Sequence, residues 1–331
     1  MTGVPEPDRR PDVLGEPYLV ETIDLAPDDE GAVEANLVLH PAAPDRVSSG
    51  GGRRAVLHVH GFADYFFHTE YAGWWAARGW DFHALDLRKY GRSLRPHHTP
   101  NHVDSLTTYY EELDAAWARI VERDGHTEVV LSAHSTGGLT AALWAHDRGL
   151  ADAGLVGLVL NSPWLDLQGS PLLRNPVTTA ALRRLGARRP RRALRRAITT
   201  VYGESLHHEH RGEWVYDLAW KPLDSWPIHL GWLAAVRTGH ARVHRGLDVR
   251  APVLVLTSGA SARPTGPDDP AVDEHDIVLE VEQIRRWAPR LGPHVTLVSV
   301  PGARHDVVLS RPGPRARVYD ELARWTGAYL A

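Results

Sequence analysis

The feature that most constrains the fold of this chain is an apolar run that ends at a serine between small residues. Residues 129–138 read Val-Val-Leu-Ser-Ala-His-Ser-Thr-Gly-Gly, and a helix-forming pattern follows over residues 139–144. A strand that turns directly into a helix holds one residue in a strained, left-handed conformation and leaves its side chain uncovered. Ala133 and Gly137 are small enough to let strand and helix approach. The pattern predicts a nucleophile elbow with Ser135 at its tip; the alternative is that Ser135 only caps the helix.

A second apolar run, residues 56–59, ends in His60-Gly61-Phe62. In an enzyme with a nucleophile elbow, a loop at this position aims a backbone N–H group at the carbonyl oxygen of the substrate. The sequence therefore predicts an oxyanion hole formed by the N–H groups of Phe62 and Thr136. His58 and His60 have two other interpretations, as strand histidines or as a metal site. Because no third ligand occurs at a recognisable spacing, we expect no metal.

These motifs, together with the stretch at residues 79–93 that contains Asp86, Gly91 and Ser93 in an Asp-x-x-x-x-Gly-x-Ser pattern, give the chain a family resemblance. It resembles the α/β-hydrolase superfamily, and within it the serine hydrolases that include monoglyceride lipases and lysophospholipases. The resemblance covers most of the chain outside residues 163–249. It implies an α/β-hydrolase fold: a mostly parallel central sheet flanked by helices, with an inserted, mainly helical cap. Alternating strand and helix patterns independently favour such a sheet.

The same alternation sets the expected domain boundaries. We predict a flexible N-terminal tail at residues 1–16, the first part of the α/β core at 17–162, a cap or lid at 163–249 and the second part of the core at 250–331. The cap boundaries follow from the place where the alternation stops, after Trp164, and where it resumes, at Val253.

The family order of a triad, serine then acid then histidine, directs the search for the two partners of Ser135. His305 follows the strand pattern of residues 295–300, where the resemblance places the catalytic histidine, and an imidazole suits a base that takes and returns a proton at neutral pH. The acid is expected after the strand at residues 252–257. Asp276 opens an Asp-Ile-Val-Leu-Glu step that resembles the family pattern, and we predict that it is the triad acid, with Asp273 as the reserve. An aspartate here can also be a helix N-cap.

Residues beside the elbow and after the next strand are expected to contact substrate, namely His60, His134 and Trp164. The cap adds two features. Residues 183–196 contain eight arginines, which fit either a solvated amphipathic helix pair, the interpretation we favour, or a surface for an anionic membrane or charged substrate. Five aromatic residues crowd the following segment and either wall an apolar acyl pocket or form the core of the cap: Trp214, Tyr216, Trp220, Trp226 and Trp232. The histidines of residues 207–210 are interpreted as an exposed loop.

Composition excludes several classes of protein. The chain has 331 residues, 43% of them hydrophobic and 24% charged, with a net charge of −4, which gives no indication of nucleic-acid binding. It contains no cysteine, so thiol catalysis and disulfides are excluded. The first residues lack the apolar stretch of a signal peptide, and no run approaches the length of a membrane span, so a cytoplasmic location is expected. No cofactor is expected.

The sequence thus predicts a serine hydrolase that cleaves a small-molecule carboxylic ester, with an apolar acyl group, through a Ser135–His305–Asp276 triad and an acyl-enzyme. An aspartate nucleophile, as in dehalogenases of this fold, is ruled out by the serine at position 135. The alternatives are an amidase or aminopeptidase, in which Glu204, Glu209 and Glu213 of the cap would bind a substrate ammonium, a thioesterase on the same triad, and a non-catalytic ligand-binding protein on a hydrolase fold.

Overall fold

The structure is a computed structural model that describes residues 8–43, 52–194 and 200–330. Its centre is a nine-stranded sheet with the strand order β1-β2-β3-β5-β4-β6-β7-β8-β9. The strands are β1 (Arg10–Pro11), β2 (Leu19–Asp24), β3 (Glu34–His40), β4 (Arg53–Val59), β5 (Asp81–Asp86), β6 (His126–His134), β7 (Leu155–Asn161), β8 (Val253–Ser258) and β9 (Val295–Val300). β1 to β3 pair antiparallel, as does β3 with β5, and every pairing from β5 to β9 is parallel. The predicted mostly parallel sheet is confirmed.

Helices cover both faces of this sheet. They are α1 (Thr69–Ala76), α2 (Tyr110–Ala118), α3 (Ser135–Arg148), α4 (Pro176–Arg188), α5 (Val201–Leu206), α6 (Leu230–Arg245), α7 (Ala271–Glu274), α8 (Val281–Trp287) and α9 (Pro312–Tyr329). Side chains of a strand point alternately to the two faces, so Val129 and Leu131 of β6 enter one apolar core while Val130 between them enters the other. Burial on both faces is why β6 reads as a continuous apolar run rather than an alternating one.

The segment between β7 and β8 contains α4, α5 and α6, in the region where the sequence predicts a helical cap. α6 anchors this segment, because Trp232 and Val236 pack into the core beside the sheet. α4 turns its arginines outward: Arg183, Arg184 and Arg188 are exposed, as expected for a solvated helix, while the last two arginines of the run lie outside the described residues. Among the described residues, no helix is long and apolar enough to cross a membrane.

The head of the chain differs from the flexible tail expected over residues 1–16. Residues 1–7 lie outside the described part, but β1 pairs with β2, and Asp12 is buried against Arg92. Both nitrogens of that guanidinium that face Asp12 lie 2.7 and 2.8 Å from its carboxylate oxygens. Sequence patterns cannot show this because the arginine lies 80 residues away, on the loop after β5.

Candidate active site

Ser135 lies at the junction of β6 and α3, at the carboxyl edge of the parallel strands. Its φ angle is +52°, the left-handed conformation that the elbow pattern predicts. Gly137 is required by the close packing of α3 on β4: a Cβ atom at this position would come within 2.1 Å of the carbonyl oxygen of His60. The backbone geometry therefore matches the predicted elbow, since a serine that only capped α3 would be in an extended conformation.

Two side chains complete a hydrogen-bonded chain with Ser135. His305 Nε2 lies 3.1 Å from Ser135 Oγ, and His305 Nδ1 lies 2.9 Å from Asp276 Oδ2. All three side chains are buried. The second oxygen of the carboxylate, Asp276 Oδ1, accepts the backbone N–H groups of Val278 at 2.9 Å and Leu279 at 2.7 Å. The backbone therefore fixes the carboxylate through Oδ1, and Oδ2 faces the imidazole of His305.

Asp276 reaches the sheet although a long insertion separates it from β8. The chain leaves after Ser258, makes an excursion that includes α7, and returns so that Asp276 N–H donates to Ala260 O at 3.0 Å and Ala262 N–H donates to Asp276 O at 3.1 Å. This short parallel bridge between Ser261 and Asp276 brings Asp276 close to the end of β8, where a short loop would also have placed it. Asp273, the reserve candidate, instead pairs with Arg304 and Arg311, and it is Asp276 that bonds His305 Nδ1.

The loop after β4 lies against the elbow, as the His-Gly-aromatic motif predicts. A Cβ atom at Gly61 would come within 3.1 Å of the Ser135 side chain, so only glycine fits this approach comfortably. Phe62 and Thr136 both line the cavity in front of Ser135. Thr136 is the second residue of α3, where a backbone N–H has no acceptor within the helix and the helix dipole favours negative charge.

The three residues expected to contact substrate occupy different environments. His134 and Trp164 line the cavity. His60 differs, because its Nδ1 donates to Gly61 O at 2.8 Å and its Nε2 accepts from Leu87 N–H at 3.1 Å, so both ring nitrogens are used by the backbone. Burial lowers the pKa of His60. This ring ties the loop after β4 to the end of β5 and is placed to shape the loop, not to contact a ligand.

The cavity in front of Ser135 has a volume of about 320 Å³. Its apolar walls come from the core and from the cap: Phe62, Trp164, Tyr202, Tyr216, Leu223, Ile228, Trp232, Ile277, Val278 and Leu279. The rings of Phe62 and Trp232 lie 4.2 Å apart, so the loop after β4 and α6 meet directly over the site. A second cavity, of about 430 Å³, lies between α4 and α6 and is lined by Arg183, Gly231 and Gly239 among others; Ser135, Asp276 and His305 are not among its lining residues.

The crowded aromatic residues of the cap divide between the two roles that the sequence left open. Tyr216 and Trp232 line the cavity. Trp214 packs elsewhere, with its Nε1 donating to Leu309 O at 3.0 Å and the guanidinium of Arg315 over its ring. Trp226 donates to the carbonyl of its neighbour Trp220 at 3.2 Å. Part of the cluster therefore forms the wall of the cavity, and part belongs to the packing of the cap.

A charged cluster of Asp64, His68, Lys221 and Asp306 lies at the cavity in front of Ser135, where Asp64 and Lys221 are among the lining residues. Lys221 of the cap lies 2.8 Å from Asp64 Oδ1, and His68 Nε2 lies 2.9 Å from Asp306 Oδ2. Burial alone would raise the pKa of both carboxyl groups. At Asp64 the charge of Lys221 outweighs burial, and at Asp306 the neighbouring His134 and His68 do so. Both pKa values are therefore lowered. These residues are far apart in sequence and belong to no motif, so no sequence signal identifies them.

This cluster is also the place to test for a metal site. Ligand atoms of Asp64, His68 and Asp306 lie within 4.8 Å of one another. The ammonium of Lys221 and the N–H of His68 already occupy one oxygen of each carboxylate, so the donor set is arranged as ion pairs rather than as an open cation site. The rings of His208 and His210 lie 4.7 and 5.9 Å from that of His207, but both ring nitrogens of His207 are bonded to the backbone, Nε2 to Tyr216 O and Nδ1 to Glu209 N–H. Residues 208–210 are exposed, as expected, whereas His207 is buried, which corrects the exposed-loop interpretation at that residue.

Comparison with known proteins agrees with the geometry. A profile of the family described as serine aminopeptidase, S33, matches residues 51–311. Solved structures with the same fold include a monoglyceride lipase of Saccharomyces cerevisiae in complex with a substrate analogue (TM-score 0.65, 14% identity, 92% of this chain and 94% of that chain covered) and a monoacylglycerol lipase of Paleococcus ferrophilus (0.63, 20%, 88% and 98%). Est1E of Butyrivibrio proteoclasticus with bound ferulic acid is also similar (0.57, 14%, 93% and 99%). A search of curated protein sequences found no significant match.

Proposed function

The chain belongs to the serine aminopeptidase family S33, and we propose that within this family it acts as a carboxylic ester hydrolase with Ser135 as the nucleophile. The observation that carries the proposal is the hydrogen-bonded chain from Ser135 Oγ through His305 to Asp276. His305 Nε2 takes the proton of Ser135 Oγ as that oxygen attacks the ester carbonyl carbon. Asp276 holds the proton of Nδ1 and stabilises the imidazolium that forms.

The N–H groups of Phe62 and Thr136 are proposed to hold the oxyanion of the tetrahedral intermediate. Each such donor lowers the energy of the intermediate by roughly 3 kcal/mol in a site without water. When the intermediate collapses, the bond to the alkoxy oxygen breaks and His305 gives its proton to the leaving alcohol. Water then attacks the acyl-Ser135 ester with His305 as the base again, which releases the acid and restores the serine.

The walls of the cavity support an apolar acyl group in the substrate. Aromatic and aliphatic side chains predominate around about 320 Å³ of space in front of Ser135. Burying each methylene there is worth about 0.8 kcal/mol. We therefore propose esters with apolar acyl chains as substrates.

An aminopeptidase activity is the alternative that the family description raises. It requires an unpaired acid near Ser135 for the substrate ammonium. Of the three acids considered for this role, Glu204 lies 3.9 Å from Arg211, Glu213 pairs with Arg315, and none of the three, Glu209 included, is among the residues that line the cavity. Asp64 does line the cavity and pairs with Lys221. This arrangement favours the ester over the amine-bearing substrate.

The proposal is tested with a panel of p-nitrophenyl esters, thioesters and aminoacyl amides, assayed with the wild type and with Ser135→Ala. We expect the highest kcat/KM on esters, and a loss of about 10³-fold or more in kcat for Ser135→Ala. Preferred hydrolysis of aminoacyl amides would replace the ester proposal with the peptidase. An active Ser135→Ala enzyme would show that Ser135 is not the nucleophile.

A further inference from the structure

Asp306, the residue that follows His305, has its carboxylate fixed by side chains from two distant parts of the chain. Oδ2 accepts from His68 Nε2 at 2.9 Å, at the start of α1, and Oδ1 accepts from Asn161 Nδ2 at 2.7 Å, at the end of β7. The side-chain oxygen of Asn161, Oδ1, accepts the N–H of Val307 at 3.1 Å. The peptide segment that carries His305 is therefore held from both sides at the very next residue.

The cap contributes a third support to the same segment. The backbone N–H of Asp306 donates to Tyr202 Oη of α5 at 3.1 Å, and the ring of Tyr202 stands edge-on to the ring of His305, with 5.9 Å between their centroids. Asp306 Oδ1 also accepts the N–H of Val308 at 3.3 Å and so begins the short turn of residues 307–309. The carboxylate is thus engaged by two side chains and by the backbone around it, and it is buried.

We infer that Asp306 is a positioning residue for His305, which it keeps within reach of Ser135 through its bonds to His68 and Asn161. The inference rests on the proposed role of His305 as the base. The distance from His305 Nε2 to Ser135 Oγ is 3.1 Å, and proton transfer requires a heavy-atom distance of that order. A misplacement of about 1 Å can cost on the order of 100-fold in rate. Asp306 does not touch the reacting atoms, so its contribution acts through the orientation of His305.

The test compares Asp306→Ala with Asp306→Asn at equal numbers of active sites, titrated with a fluorophosphonate taken to completion. Ala removes every bond of the carboxylate, whereas Asn keeps an oxygen for Asn161 and Val308. We expect kcat per titrated site to fall at least about 10-fold in Asp306→Ala with KM within about 2-fold, and Asp306→Asn to recover most of the loss. A structural role alone would lower the melting temperature and the number of titrated sites but leave kcat per site unchanged.

Asp81→Ala is the matched control. Its carboxylate also accepts from a histidine and from a backbone N–H, His126 Nε2 at 2.7 Å and Ala42 N–H at 2.8 Å, and in addition from Arg53 Nη2 at 3.1 Å. It lies at the start of β5, at the opposite end of the parallel strands from His305. We expect it to lower stability without changing kcat per site. If Asp306→Ala does not fold, His68→Leu and His68→Gln replace the pair, since Gln retains a donor for Asp306.

The inference is overturned if Asp306→Ala, or His68→Leu in its place, has the kcat per site of the Asp81→Ala control. It is also overturned if Asp306→Asn and His68→Gln recover nothing. Ester hydrolysis by the wild type, abolished in Ser135→Ala, separates this outcome from a failure of the proposed function: with that activity present, a wild-type rate in Asp306→Ala removes only the positioning role.

Discussion

At the scale of single residues, the geometry of the site depends on which hydrogen bond each polar atom makes. Asp276 uses one oxygen for two backbone N–H groups and the other for His305. The two backbone bonds fix the direction of the carboxylate independently of its bond to the imidazole. The proposed base is therefore oriented by a group that is itself immobilised, which is the arrangement that catalysis by a positioned imidazole requires.

The role of this carboxylate is tested by Asp276→Asn. The substitution keeps the size of the side chain but turns one acceptor into a donor and removes the charge that stabilises the imidazolium. We expect kcat to fall by about 10³-fold or more with the fold retained, as measured by circular dichroism and ester hydrolysis. Asp273→Asn, on the same excursion but paired with Arg304 and Arg311, should keep kcat within about 3-fold. A sensitive Asp273→Asn enzyme with a normal Asp276→Asn enzyme would contradict the assignment.

How much of the site the sequence predicts depends on sequence separation. Ser135 and His305 are marked by local patterns, a strand that breaks at a small residue and a loop after a strand. The Asp-Ile-Val-Leu-Glu pattern marks Asp276 locally as well, although only the hydrogen bond of its N–H to Ala260 O shows how a residue so far from β8 along the chain reaches the end of that strand. The charged cluster leaves no such mark, because Asp64 and Lys221 are 157 residues apart and His68 and Asp306 are 238 apart. Only the fold brings them together.

At the scale of elements, α6 links the segment between β7 and β8 to the cavity in front of Ser135. Its Trp232 is buried, contacts Phe62 of the loop after β4 and lies 5.9 Å from the ring of Trp164. The sequence predicts that this tryptophan belongs to the segment between β7 and β8. It leaves open whether the ring lines the cavity or packs within that segment, because the spacing of the aromatic residues follows neither helix nor strand. The way α6 packs on the sheet determines that Trp232 lines the cavity.

This arrangement predicts how the rate depends on acyl length. Each added methylene should raise kcat/KM severalfold until the cavity is filled, because each contributes about 0.8 kcal/mol. Trp232→Ala should flatten this rise or extend it to longer chains. Trp214→Ala, whose ring packs under Arg315 away from the cavity, should lower the melting temperature and leave the chain-length profile unchanged. Equal profiles in wild type and Trp232→Ala would show that α6 does not line the acyl site.

At the scale of the whole molecule, buried histidines tie stability to pH. Burial, followed by the neighbouring His126, lowers the pKa of His83 to about 3 from its ordinary 6.5. Among the described residues, neither of its ring nitrogens has a hydrogen-bond partner. Below pH 6.5 the unfolded chain takes up a proton that the folded chain refuses, so stability falls as the pH falls towards 3. Carboxylates with lowered pKa, such as Asp64 and Asp306, add a further loss at lower pH.

The contribution of His83 is tested by His83→Phe, which keeps an aromatic ring without a titrating group. At pH 5 the histidine costs about 2 kcal/mol of unfolding free energy relative to pH 7. We expect the urea midpoint of His83→Phe to depend less on pH between 7 and 5 than that of the wild type. The control is His208→Phe, on an exposed residue of the cap, which should keep the wild-type slope. Equal slopes in all three proteins would contradict the lowered pKa.

Whether Ser135 is the nucleophile can be decided by covalent labelling followed by peptide mass spectrometry. A fluorophosphonate should attach once per chain, on the peptide that contains Ser135, and Ser135→Ala should take up none. Ser162→Ala provides the control, because Ser162 is also buried and has a positive φ of 44°, yet has no place in the proposed triad; it should be labelled like the wild type. Attachment at a different serine, or an unlabelled enzyme that still cleaves esters, would show that Ser135 is not the nucleophile.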